Sequence, residues 1–169
     1  MKTSIKPIPL SLADFSPFGV FANMLHPDSA RLGMPPVEFY RDMVQQDLGL
    51  ASIVSFSTCR IEQRDLRIDA LECHSRTAEM MLPLDNDILI QLAPATPASV
   101  EPDLRQVKVF HVPRGTLFVM RPGVWHHGPF VTNHSPANIL VALPERTYAN
   151  DTVTFQIPDS LQPIIQIHT

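Results

Sequence analysis

The hydrophobic positions of this chain fall into short runs that are separated by prolines and other turn-forming residues. Seventeen prolines punctuate the sequence, and a proline inside a helix removes a backbone donor and clashes with the preceding turn. Many short apolar runs between turn signals predict an antiparallel β-sandwich or barrel rather than a helical fold. The predicted strands cover residues 51–57, 64–74, 87–93, 106–112, 116–120, 138–143 and 152–157.

Two segments have a helical pattern instead. Residues 11–19 begin with Ser11, a residue type that is favoured as a helix N-cap. Residues 36–49 also predict a helix, although part of this segment fits a strand equally well. Its apolar side chains recur at helical spacing, at Val37, Tyr40, Val44 and Leu48.

Composition and charge narrow the possible partners. The 169 residues, 44% of them hydrophobic, suit a single globular domain over residues 1–169. A net charge of −4 without a basic cluster argues against nucleic acid as a partner, whereas one or two arginines suffice to bind a small anionic substrate.

No apolar run approaches the ~20 residues that cross a membrane, and no secretion signal is evident. Cys59 and Cys73 lack metal-site spacing, so we expect a cytoplasmic protein with reduced thiols.

Candidate chemistry begins in the segment LRIDALECH, residues 66–74. Because side chains alternate along a strand, the even-numbered positions share one face, which starts with Leu66 and Ile68 and ends with Glu72 and His74. We therefore expect Glu72 and His74 to face the interior, unless a bulge near Leu71 turns Glu72 into water. Glu79 follows at the start of the next strand, within reach across a short turn.

A second polar group follows a Pro122–Gly123 turn. Trp125, His126 and His127 come directly after it, and adjacent strand residues face opposite sides. Only one of the two histidines can therefore face the interior. Trp125 faces away from His126, where it either packs against an appended segment or forms part of a dimer interface.

The two polar groups resemble the paired motifs of the cupin superfamily. Glu72 stands in place of the first histidine of the first motif, His74 and Glu79 match the second histidine and the glutamate, and Asn86 replaces a glycine. The residues that match the second motif are Gly115, Gly123 and His126. This resemblance implies a cupin-type antiparallel β-barrel (a double-stranded β-helix or jelly roll) with one or two short helices. It also makes His126, not His127, the inward-facing histidine.

A narrower resemblance is to the ureidoglycolate lyase family. It rests on the opening PLSLADFSPFGVF (9–21), the Glu72–His74 pair, Pro83, and the sequence Trp125–His126–His127. It implies a carbon–nitrogen lyase of purine (allantoin) degradation that cleaves ureidoglycolate into glyoxylate and urea, and it implies a homodimer. Two features depart from the family pattern: Glu79 stands where glutamine is common, and the segment from Gly115 to Trp125 is about two residues longer.

These residues allow two kinds of chemistry. Two imidazoles and one or two carboxylates, from Glu72, His74, Glu79 and His126, suit one divalent ion such as Mn, Fe, Ni or Zn. The same groups, without a metal, can act as general base and acid. No organic cofactor is expected. Arg76, near His74, and Arg121, near His126, are the candidates for binding a substrate carboxylate. A solvated surface charge is the more ordinary explanation for both.

Two alternatives to the lyase stay open at this point. One is a metal-dependent cupin enzyme, an isomerase or a dioxygenase, that acts on another small polar substrate. The other is a non-catalytic cupin that binds a metabolite. Glu79 distinguishes the first alternative from the lyase, because a metal-coordinating Glu79 favours the general metal-binding cupin pattern.

Overall fold

A computed structural model describes residues 4–166 of the chain, which form mainly β-strands. Two short helices, α1 (Leu12–Phe15) and α2 (Thr147–Asn150), and a 3-10 turn at Leu104–Gln106 complete the regular structure. The strands are, in chain order, β1 (Ser4–Ile5), β2 (Ile8–Pro9), β3 (Gly19–Asn23), β4 (Arg31–Met34), β5 (Val37–Tyr40), β6 (Val54–Ile61), β7 (Ala70–Cys73), β8 (Glu79–Pro83), β9 (Ile88–Ala93), β10 (Lys108–Val112), β11 (Thr116–Met120), β12 (Trp125–His126), β13 (Phe130–Val131), β14 (Ala137–Pro144), β15 (Val153–Gln156) and β16 (Ile164–Ile165).

Two sheets form the body of the domain. The larger sheet has the strand order β15-β7-β12-β9-β10-β2, with β13 also paired to β9, and the smaller sheet has the order β3-β11-β8-β14-β6. Neighbouring strands run antiparallel, apart from β2, which is parallel to β10. Short strands, antiparallel pairing and two facing sheets confirm the predicted cupin-type β-barrel. No helix within residues 4–166 has the length and apolar character to span a membrane.

The main core lies between the two sheets. Ile88, Ile90 and Leu92 project into it from β9, and Phe118 and Met120 from β11. These positions alternate along their strands, as expected when one face of each strand is turned inward. The apolar alternation of the sequence therefore defines the inside of the barrel.

A second apolar layer covers the outer face of the larger sheet. It includes Leu71, Leu89, Ala93 and Trp125, so β9 is buried on both faces. Trp125 is only 4% exposed, and its Nε1–H donates a hydrogen bond to Thr96 Oγ1 at 2.8 Å. Of the two roles considered for Trp125, the structure shows core packing against an appended segment.

The first predicted helix is present and the second is not. Ser11 caps α1 by accepting the backbone N–H of Asp14, as the sequence predicts. The helix predicted over residues 36–49 is wrong: β5 is a strand paired with β4, and an irregular segment follows it across the outer face of the smaller sheet. That segment is held by tertiary contacts, because the Gln46 amide donates hydrogen bonds to two carbonyl groups of this sheet region, Ala78 O and Ala142 O.

Candidate metal centre

Three ionisable side chains from both sheets meet at one end of the barrel. His74 directly follows β7 and His126 ends β12, both in the larger sheet, whereas Glu79 begins β8 in the smaller sheet. The turn before β12 links the segment that carries His126 to the one that carries His74, because the backbone N–H of Gly123 donates a hydrogen bond to His74 O at 2.6 Å. Gly123 has a φ of +80°, a conformation that favours glycine.

Glu79 contacts both histidines through one oxygen atom. Its Oε2 lies 2.7 Å from His126 Nε2 and 3.1 Å from His74 Nε2. The three side chains are between 3% and 7% exposed, so water screens their interactions weakly. We call these three residues, His74, Glu79 and His126, the His–Glu–His cluster.

Backbone carbonyl groups orient both imidazoles. His74 Nδ1 lies 2.8 Å from Asp151 O, and His126 Nδ1 lies 2.9 Å from Val124 O. A carbonyl oxygen only accepts hydrogen bonds, so each Nδ1 carries the proton. When either ring is neutral, its Nε2 lone pair points toward Glu79, which is the tautomer that a metal ligand needs.

The cluster has the composition and spacing of a metal site. One ligand atom from each residue can be chosen so that all three lie within 4.8 Å of one another. Neighbouring ligands at roughly 2.1 Å from an octahedral divalent ion lie about 3 Å apart, and the two Glu79–histidine distances, 2.7 and 3.1 Å, are close to this value. Two imidazole nitrogens and a carboxylate oxygen therefore fit a divalent transition metal with open positions.

The electrostatics of the cluster favour an ionised glutamate. Burial by itself raises the pKa of Glu79, but the charge and hydrogen bond of His126, together with His74, lower this pKa to about 2. Burial lowers the pKa of His126, and the adjacent Glu79 carboxylate more than offsets it, so the pKa of His126 is raised above its ordinary 6.5. Glu79 is thus a carboxylate at any ordinary pH.

Glu72, the fourth predicted ligand, lies beside the cluster without joining it. It is directly opposite His126 in the β7–β12 register, so the two side chains share the inner face. Glu72 is half-buried, and within residues 4–166 its carboxylate makes no hydrogen bond or ion pair. This carboxylate is therefore free to interact with a bound molecule.

The predicted inner face of residues 66–74 is only partly correct. Glu72 and His74 face inward, but Leu66 and Ile68 pack in the outer layer together with Leu71. The ladder of β7 starts at Ala70, and the backbone N–H of Ile68 bonds to Pro163 O outside that strand. The alternation of inward and outward side chains therefore shifts before Ala70. The sequence pattern, which reads as one continuous strand, does not reveal this shift.

The structure does not bring the two predicted substrate-binding arginines to the cluster. Arg121 donates a hydrogen bond to Ser16 O and lines a cavity of about 490 Å³ with Val119, on the outer side of the smaller sheet. Arg76 is exposed and lines a different cavity, of about 730 Å³, together with Thr147. None of the cluster residues lines either cavity, and the substrate-binding roles of both arginines stay predictions.

Sequence reasoning missed the residues that orient His74. Besides Asp151 O, the hydroxyl of Thr152 lies 3.2 Å from His74 Nδ1. The Asp151 carboxylate is held by the backbone N–H groups of Ser75 and Arg76 and by the Ser75 hydroxyl. A backbone carbonyl gives no sequence signal, and the pairing of β15 with β7 that brings these residues together is long-range.

Comparison with known families covers the part of the chain that carries this site. The family model for ureidoglycolate lyase matches residues 2–162, which include all the residues of the cluster. The chain belongs to the ureidoglycolate lyase family. No curated protein sequence matches the chain significantly.

Similar solved structures belong to other enzymes. One is an oxalate decarboxylase of Bacillus subtilis with Mn(II) centres, at 10% identity over 62% of this chain and 24% of that chain, with a TM-score of 0.43. Another is a dTDP sugar isomerase of Desulfovibrio desulfuricans G20, at 13% identity over 84% of this chain and 86% of that chain, with a TM-score of 0.49. This chain thus spans about a quarter of the length of the decarboxylase.

Proposed function

We propose that this chain is a metal-assisted ureidoglycolate lyase that cleaves ureidoglycolate into glyoxylate and urea. The observation that carries the proposal is that the two carboxylates at the site are held differently. Glu79 is bound between two histidines, whereas Glu72 is uncommitted on the same inner face as His126. Membership of the ureidoglycolate lyase family supports this substrate.

The reaction requires two proton transfers. A base removes the proton of the hydroxyl on the carbon that carries the ureido group, a C=O bond forms there, and the C–N bond breaks. The departing nitrogen takes up one proton, so that glyoxylate and urea form without any other reactant. One carboxyl group can perform both transfers if it first accepts the hydroxyl proton and then donates it to nitrogen.

Glu72 suits this role better than Glu79. A carboxylate with a pKa of about 2 is a weak base, and the Oε2 atom of Glu79 is already engaged with two imidazoles. Glu72 is half-buried beside His126, where it can reach a substrate that lies over the cluster. We therefore assign proton transfer to Glu72, and metal binding to His74, Glu79 and His126.

The donor set admits Mn, Fe, Ni or Zn. When bound, such an ion supplies positive charge that lowers the pKa of a substrate hydroxyl and attracts its carboxylate. The chain's own part is to fix the imidazole tautomers through Asp151 O and Val124 O. It also excludes water from the buried ligands, because their side chains are at most 7% exposed.

Product analysis tests the proposal. Metal-loaded protein is incubated with ureidoglycolate, and glyoxylate and urea are measured separately. We expect equimolar products in excess of the spontaneous reaction. The matched variant Glu72→Gln is expected to release products about 10²–10⁴-fold more slowly. No product above the blank from metal-loaded wild-type protein would exclude the proposed reaction.

A second candidate is a metal-dependent cupin isomerase or dioxygenase that acts on another small polar substrate. The contact of Glu79 with both histidines favours it, since the ureidoglycolate lyases commonly have glutamine at this position. Stoichiometric metal in a protein that releases no glyoxylate would favour this candidate. Binding of a metabolite without turnover would instead support a non-catalytic cupin.

A further inference from the structure

Strand β15 lies at the edge of the larger sheet, next to the strand that carries Glu72. It pairs with β7 in the registers Thr154↔Glu72 and Gln156↔Ala70. Directly opposite residues of an antiparallel pair share a face of the sheet, so Thr154 lies beside Glu72, on the side away from His126. One face of β15 therefore continues, with two more hydrogen-bonding side chains, the polar surface on which Glu72 lies.

Contacts on both faces of β15 support this orientation. Thr152, immediately before the strand, has its Oγ1 atom 3.2 Å from His74 Nδ1, so the even-numbered positions begin on the side of the His–Glu–His cluster. Phe155 packs in the apolar outer layer of the larger sheet. Because side chains alternate along a strand, the two residues that flank Phe155 point to the opposite, inner face.

Both of these side chains are available to a ligand. Thr154 and Gln156 are exposed, and neither side chain makes a hydrogen bond in the part of the chain that the structure describes. Ala70, opposite Gln156, has only a methyl group, which leaves room over β7 next to Glu72. A molecule that contacts Glu72 therefore meets an unoccupied hydroxyl and an unoccupied carboxamide on the neighbouring strand.

A primary carboxamide is chemically complementary to a ureido group. Each has a carbonyl oxygen that accepts hydrogen bonds and an NH₂ group that donates them, so a glutamine side chain and a ureido group can form two hydrogen bonds at once. A threonine hydroxyl adds one donor and further acceptor capacity. Positions two residues apart on a strand are separated by about 7 Å, which is comparable with the length of ureidoglycolate.

We propose that Gln156, assisted by Thr154, binds the ureido group of the substrate and selects ureido compounds from other small carboxylic acids. The inference rests on the proposed function, in which Glu72 accepts the proton of the substrate hydroxyl and the substrate carboxylate lies toward the His–Glu–His cluster. The register places Gln156 on the side of Glu72 that is away from the cluster. The ureido end of the substrate therefore extends toward Gln156.

Calorimetric titration of metal-loaded protein with two ligands that cannot undergo the reaction tests this role. N-carbamoylglycine is ureidoglycolate without its hydroxyl group, and N-acetylglycine has a methyl group in place of the terminal NH₂. We expect wild-type protein to bind N-carbamoylglycine about tenfold more tightly, because N-acetylglycine leaves the Gln156 carbonyl without a donor. Gln156→Met keeps the length of the side chain and removes its hydrogen bonds, so this variant is expected to bind both ligands about equally.

Gln45→Met is the matched control, because Gln45 is also an exposed glutamine but lies on the outer side of the smaller sheet. This variant should keep the wild-type preference for N-carbamoylglycine. Wild-type protein that binds neither ligand or binds both equally would overturn the proposal, and so would an unchanged preference in Gln156→Met. A protein that releases no glyoxylate but loses its preference in Gln156→Met would refute the proposed reaction and support the ureido-binding role of Gln156.

Discussion

At the scale of single residues, the site depends on how two similar carboxylates are held. Glu79 lies between two imidazole nitrogens at 2.7 and 3.1 Å, whereas Glu72 faces the same space without a partner among residues 4–166. Environment rather than residue type therefore separates the proposed ligand, Glu79, from the proposed base, Glu72, as in other sites where two carboxyl groups have different roles.

The substitutions Glu79→Gln and Glu72→Gln should separate these roles. Glu79→Gln removes the charge that pairs with both histidines, so we expect substoichiometric metal and loss of activity. Glu72→Gln should keep full metal content while activity falls. Elemental analysis of both purified variants, together with the glyoxylate assay, makes the comparison. Equal metal loss in the two variants would mean that Glu72 is also a ligand.

The adjacent histidines, His126 and His127, offer a second comparison. His126→Ala should abolish metal binding and activity, because it removes a ligand atom 2.7 Å from Glu79. His127→Ala should keep both, since His127 is not part of the cluster. Circular dichroism confirms that each variant is folded. Comparable loss of metal in both variants would contradict the assignment of His126 as the inward ligand.

Metal affinity should rise with pH. The pKa of His126 is raised above 6.5 by Glu79, so in the metal-free protein His126 keeps its proton to higher pH, and an entering ion must displace it. Glu79, with a pKa of about 2, stays ionised and contributes nothing to this dependence. Calorimetric titration with Mn²⁺ should show an affinity that increases between about pH 6 and 8 and then levels off. A constant affinity over this range would contradict the raised pKa.

At the scale of structural elements, the turn before β12 joins the two histidine segments. Gly123 has a φ of +80°, and a Cβ added there would lie 3.1 Å from Ala95 Cβ. Gly123→Ala should therefore destabilise the protein by about 1–3 kcal/mol and weaken metal binding through the hydrogen bond to His74 O. Urea unfolding of metal-free protein measures the first effect and metal titration the second.

The matched control for this turn is Gly128→Ala. Gly128 lies two residues after His126, has no positive φ, and an added Cβ would meet nothing within 4 Å. We expect wild-type metal affinity and little change in the free energy of unfolding. If Gly128→Ala were as damaging as Gly123→Ala, the special conformation of Gly123 would not be the cause.

Sequence patterns predicted the elements best where local and tertiary preferences agree. Strand β11 occupies the residues predicted for it, 116–120, and Ser11 caps α1. The helix predicted over residues 36–49 is absent because pairing with β4 and the Gln46 bridge to two carbonyl groups override the helical spacing. Three of the four predicted ligands meet, while Asp151 O, which orients His74, carries no pattern that a sequence can show.

At the scale of the whole molecule, the cluster connects the two sheets, since Glu79 and the histidines lie on different ones. A bound ion should therefore stabilise the folded barrel. Saturation at 100 times the dissociation constant adds about 2.7 kcal/mol, which corresponds to a rise in Tm of roughly 5–10 °C for a domain of this size. Thermal unfolding with Mn²⁺ or EDTA measures this shift. Glu79→Gln should show no rise, and an equal rise in that variant would place the ion elsewhere.

The most direct test of the whole account is elemental analysis of the purified protein combined with glyoxylate release, with and without chelator. The account predicts about one divalent ion per chain, and release of glyoxylate from ureidoglycolate that stops with chelator and returns when metal is restored. Stoichiometric metal without glyoxylate release would contradict the proposed reaction, and glyoxylate release that is unaffected by complete metal removal would contradict the role of the cluster.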